Sequence, residues 1–107
     1  MPAGPHYHPL VARLREIDVE VRPWPGRDDG FASVQFGGEE VAHFHCFDEI
    51  DIRLGKDVIG RERLAHRADS PVHPKRGKGS PWYEMKVRSA ADVDAALRLV
   101  KIAIRDL

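Results

Sequence analysis

Residues 31–54 read FASVQFGGEEVAHFHCFDEIDIRL. Phe31 to Phe36 is rich in β-formers and stops at Gly37-Gly38, a tight-turn signal. Glu40 to Cys46 resumes the strand pattern. Ile50 to Leu54 then alternates apolar with polar after a short loop at Phe47-Asp48. Strands joined this closely pair as neighbours, so the stretch is expected to fold as an antiparallel meander.

Working outward, the chain before the meander begins with a Pro-, Gly- and His-rich stretch, residues 1–8, expected to form a flexible arm. Pro9 suits the first turn of a helix, where its missing N–H costs nothing. Leu10, Val11, Leu14 and Ile17 line one face of that helix, placed over residues 9–17. Asp18 to Arg22 carries Val19 and Val21 in alternation and reads as a short strand, ended by Pro23-Trp24-Pro25-Gly26.

Beyond the meander, residues 56–66 hold Val58, Ile59 and Leu64 among charges and suggest a short helix. Ser70 to Pro81 has three prolines and two glycines around Lys75, Arg76 and Lys78, the composition of a mobile basic loop. Trp82 to Arg88 alternates as another strand. Ser89-x-x-Asp92 resembles a capping box with a shorter acid. It precedes Val93, Ala96, Leu97, Val100, Ala103, Ile104 and Leu107, an apolar stripe of about four turns. The order predicts a single α+β domain over residues 9–107. It is a two-layer sandwich with the N- and C-terminal helices on one face of an antiparallel sheet. The other face is expected to be partly open to solvent.

The chain has 107 residues, enough for one core without staples. Its 17 basic and 17 acidic residues cancel, so no global field draws it to nucleic acid or membrane. Cys46 is the sole cysteine, which excludes an intramolecular disulfide and any multi-cysteine metal site. A lone thiol suits a reducing compartment, and the N-terminus lacks the pattern of a signal peptide. With no long apolar run either, a cytoplasmic location is expected.

His43-Phe44-His45-Cys46 carries the most chemistry. On a strand, His43 and His45 share one face, while Ala42, Phe44 and Cys46 share the other, apolar one. The histidines should therefore point away from the helices. By the same alternation Ile50, Ile52 and Leu54 turn inward, as do Tyr83, Met85 and Val87. Glu49, Asp51, Arg53, Trp82, Glu84 and Lys86 then turn outward. A simple hairpin would bring His45 near Asp51. One polar surface is thus expected to carry His43, His45, Asp51, Arg53 and Glu84. Two histidines at i, i+2 with a carboxylate suit zinc or another divalent metal. A His–Asp pair equally suits a general base and its orienting group. Polar-out alternation is also the ordinary pattern of a half-solvated sheet. Cys46, placed with the apolar set, reads as a structural thiol rather than a nucleophile. No phosphate-cradling loop, nucleophile elbow, zincin helix or dinucleotide fingerprint occurs.

The segment Phe36 to His45, FGGEEVAHFH, resembles the GG-x-E-(I/V)-(G/A)-H-x-H stretch of a small bacterial and fungal family labelled luciferase domain. The likeness continues through Asp51 and Arg53, the His73-to-Trp82 loop and the Asp92–Val100 helix, so it covers roughly residues 30–105. It implies that His43 and His45 are the natural functional candidates. The family's His-Pro-x-Ser-Gly-Trp run is interrupted here, because Lys75 to Ser80 separate His73-Pro74 from Trp82. The element order is also similar to MmcQ/YjbR-type domains, whose frataxin-like members are often labelled DNA-binding.

Three classes of function follow. The favoured one is a ligand-binding or accessory domain, its partner a small molecule at His43, His45 and Asp51. The second is an enzyme on the same residues, metal-assisted or acid–base. The third is a nucleic-acid module using Lys75, Arg76, Lys78 and Arg53, against which the neutral charge weighs. No particular cofactor or oligomeric state is implied.

Overall fold

A computed structural model of the chain describes residues 5–64 and 81–107. The element order is α1 (Tyr7–Glu16), β1 (Glu20–Pro23), β2 (Ala32–Phe36), β3 (Glu39–Cys46), β4 (Glu49–Arg53), α2 (Lys56–Arg61), β5 (Trp82–Lys86) and α3 (Ala90–Arg105). The five strands form one sheet in the order β1-β2-β3-β4-β5, and every neighbouring pair is antiparallel. This is the expected α+β sandwich. Gly37 and Gly38 both take positive φ (60° and 86°) between paired Phe36 and Glu39. That conformation suits a two-residue turn matching strand twist, and it explains why two glycines stand there.

The first helix starts at Tyr7, earlier than the Pro9 start expected from sequence, so Tyr7 and His8 belong to it and not to an arm. Tyr7 is buried, its ring 4.9 Å from both Phe44 and Phe47. Burial of that aromatic body outweighs the loop-forming composition around it. At the other end Ser89 caps α3 by accepting the Asp92 N–H (3.1 Å), while Asp92 accepts the Arg88 N–H (3.0 Å). The shorter acid thus completes a box one residue further out than glutamate would.

The core lies between the sheet and α1 with α3. Leu10, Leu14, Val34, Phe44, Ile50, Ile52, Leu99 and Val100 are almost wholly excluded from solvent. Met85 and Val87 join them from the last strand region. Exposed pairs Arg13–Asp94 and Arg98–Glu62 tie α3 to α1 and to the end of α2. At that exposure such pairs add little.

Burial raises the pKa of the Tyr7 phenol, and burial together with Asp92 does the same for Tyr83. The folded chain therefore holds two protons that the unfolded chain releases near pH ~10. Their contribution to stability is complete below that pH and is lost as pH rises through the folded-state values. Thermal unfolding followed from pH 9 to 12 alongside phenolate absorbance should show the melting temperature falling as absorbance rises. A flat profile would place both phenols in water.

Candidate metal centre

The second face of the sheet is built by β3, β4 and β5, and two bulges set what it carries. Between β2 and β3, Val34 pairs with Ala42 but Gln35 pairs with Glu40, so Val41 is an extra residue. Val41 and Ala42 are both buried, and Glu40 emerges on the same face as His43. Between β3 and β4, Cys46 pairs with Glu49 but Phe44 pairs with Ile50, so His45 is the extra residue. With the turn at Phe47-Asp48, an unbulged hairpin would have set Phe44 against Asp51, an apolar residue against a buried acid. The bulge puts His43 directly opposite Asp51 and leaves His45 beside the pair. Re-aiming of side chains is what bulges do.

His45 Nε2 lies 2.6 Å from Asp51 Oδ2, and His43 Nε2 lies 3.4 Å from the same oxygen. The two Nε2 atoms are 3.2 Å apart. Three ligand-type atoms therefore meet at one point. Asp51 is fully buried, and the side chains of His45 and His43 are 10% and 15% exposed. Phe31, at the entrance to β2, and Trp82, at the start of β5, set their rings 6.2 and 4.7 Å from His43. Gly30 makes this placement of Phe31 possible. Its φ is +88°, and a Cβ there would meet Phe47 at 2.6 Å.

A relay holds the far edge of His43. Gln35 Nε2 donates to Ser33 Oγ (3.1 Å), Ser33 donates to Glu40 Oε2 (2.6 Å), and Glu40 Oε1 faces His43 Nδ1 at 3.5 Å. A carboxylate on Nδ1 favours the tautomer that leaves the Nε2 lone pair free.

The face is not the open, solvated surface the alternation pattern suggests: Ser33, Glu49, Asp51 and Glu84 are all buried. Glu84 stands directly across from Asp51 on β5. Opposed carboxylates of this kind are stable only alongside protons or positive charge. Arg53 does not join the cluster. It is exposed at the end of β4 and lines a separate hollow with Glu39, Glu40 and Asp106. Lys75, Arg76 and Lys78, together with His66 and His73, lie outside the described residues.

Cys46 also departs from its expected place. The bulge turns it toward the polar face, where its Sγ donates to Asp48 Oδ1 (3.2 Å) and sits 4.0 Å from Glu49 Oε2. Burial pushes the thiol's pKa up, and the Asp48 and Glu49 carboxylates add to that. The group stays a protonated thiol at neutral pH, so it remains a poor nucleophile for a different reason from the one its place in the sequence suggests. The sequence reading missed Glu40, Ser33 and Phe31. The break in alternation at Val41-Ala42, two apolar residues in a row, was the available signal for the first bulge.

Fold and centre together define a small α+β domain with a buried His–His–Asp cluster on the sheet face away from its helices. The chain belongs to the Luciferase domain family, which matches residues 38–103, a span that contains the whole cluster. No curated protein and no solved structure matches it. Among the described residues no helix is long and apolar enough to cross a membrane.

Proposed function

We propose that the domain is a binding module whose ligand at His43, His45 and Asp51 is a divalent transition metal, with zinc the simplest candidate. The observation that carries this is the closed triangle of two imidazole nitrogens and one carboxylate oxygen, all within 4.8 Å. Two imidazole nitrogens and a carboxylate oxygen gathered in this way are a donor set that zinc and other divalent transition metals take together.

The dimensions agree. Zinc holds nitrogen and oxygen at about 2.0–2.2 Å, so tetrahedral donors stand roughly 3.3 Å apart. The His43–His45 edge is 3.2 Å and the His43–Asp51 edge 3.4 Å. Only the His45–Asp51 edge, at 2.6 Å, has to open on binding. Two histidines and one carboxylate leave a fourth position for water or a further ligand, the arrangement of reactive rather than purely structural sites. An enzymatic use of the centre would start from that position.

Calorimetric titration of the metal-free protein with zinc, with histidine resonances followed in parallel, tests the reading. His43 and His45 are expected to shift together at one equivalent. Glu40→Gln, which weakens the hold on His43 Nδ1, is expected to reduce affinity by about 10–100-fold, the usual cost of an outer partner. If both histidines ignore zinc at millimolar concentration, the cluster is a hydrogen-bonded network and the proposal is wrong.

A further inference from the structure

A hollow of about 360 Å³ is lined by Trp24, Arg27, Phe31, Ser33, Glu40 and His43. Of the triangle it meets His43 alone, whose Nδ1 edge Glu40 faces. A ligand there has no need of the metal donors. The volume is at the lower end of small-molecule sites.

The walls are aromatic. Trp24 and Phe31 meet nearly at right angles (85°, centroids 5.8 Å), and Phe31 is within 28° of parallel to His43. Aromatic faces carry negative potential and attract cations, tryptophan most strongly. Phe31 already shows that attraction, with the Arg27 guanidinium 4.5 Å over its ring. Trp24, the stronger partner, is 55% exposed. Its backbone is nevertheless held: the Trp24 N–H donates to the Phe31 carbonyl (3.0 Å), and the Arg27 N–H donates to the Trp24 carbonyl (3.2 Å). Little ordering of that turn is left to do on binding.

The charges select the sign of the ligand. Arg27 is matched by Asp29, whose carboxyl their hydrogen bond holds down to about 2. Glu40 has no such match. It takes a hydrogen bond from Ser33 (2.6 Å) and faces His43 at 3.5 Å, and a neutral hydroxyl and a neutral imidazole leave its charge in place. The hollow thus combines aromatic faces with a net negative charge. Its hydrogen-bonding groups narrow the choice further. Ser33 Oγ already donates to Glu40 and accepts from Gln35. An ammonium with three N–H donors would leave water for walls that do not replace those bonds. A quaternary ammonium has no N–H to satisfy.

We infer that the hollow binds a quaternary ammonium group, held by the Trp24 face and the Glu40 carboxylate between the rings of Phe31 and His43. The inference is independent of the metal reading, so either can fail alone.

Choline and 3,3-dimethylbutan-1-ol have the same shape and differ only in the charged nitrogen. Each is titrated by calorimetry into protein stripped of metal with a chelator. Choline is expected to bind about tenfold or more tightly than the alcohol, the scale of one desolvated cation–aromatic contact. Trp24→Ala and Glu40→Gln should each remove most of that preference, and Trp24→Phe should keep part of it. Trp24 is largely exposed, so its variants keep the fold, which circular dichroism checks. Sedimentation with phosphatidylcholine vesicles identifies the source of the group. Co-sedimentation that Trp24→Ala abolishes assigns it to a lipid headgroup, and choline binding without co-sedimentation assigns it to a free molecule. If choline fails to bind at millimolar concentration, binds no better than the alcohol, or keeps its preference in folded Trp24→Ala, the inference is overturned.

Discussion

Asp51→Asn is expected to lower zinc affinity by more than the ~100-fold upper range seen for outer partners, because it removes a direct ligand. Asp51 Oδ2 is the one atom that both histidines approach, at 2.6 and 3.4 Å. An amide keeps the shape but offers a neutral oxygen or, flipped, an N–H pair that repels a cation. The amide matches the carboxylate in size and shape, so the loss of metal affinity is expected in a folded protein. Calorimetry gives the affinity, and circular dichroism of the variant confirms its structure. Wild-type zinc affinity in a folded Asp51→Asn protein would remove Asp51 from the site, and the triangle argument with it.

Phe44→Ala should cost about 3–5 kcal/mol of stability, the range for deleting a large ring from a core. Phe44 is 1% exposed, lies against Tyr7 on the helix side, and pairs with Ile50 across β3 and β4. Its neighbours in sequence, His43 and His45, point to the other face. The variant therefore separates what the two faces contribute. A typical domain has about 5–15 kcal/mol in total, so urea denaturation should show a large fall in midpoint. A loss under about 1 kcal/mol would mean that the α1–sheet interface is not packed as described.

These two residues show how much the strand pattern conveys. Alternation placed Phe44 inside and His43, His45, Asp51 and Glu84 on the other face, because side-chain direction on a strand is a local property of the backbone. The turn glycines and the Ser89 cap were legible for the same reason: each acts within a few residues. Cys46 and Glu40 were misplaced or missed because alternation holds only while the ladder is unbroken. A bulge is decided by pairing with another strand. Register that keeps Phe44 against Ile50 and His43 against Asp51 requires His45 to be extra, and that requirement arises only when two strands and a core are present together.

Burial was the other quantity out of reach. The same Asp51, Glu84 and Glu49 that read as solvated surface are excluded from water, which changes them from ordinary polar residues into groups that demand compensation. Nothing in their spacing distinguishes the two cases. By itself the sequence determined the α+β class, the antiparallel meander and the shared face of the two histidines, since those follow from periodicity and turn chemistry. Only the tertiary structure decided that three donor atoms close to within hydrogen-bonding range of one point, beside an aromatic hollow. That closure depends on two bulges, one glycine contact and the packing of rings from separate elements, none of which follows from alternation along a single strand.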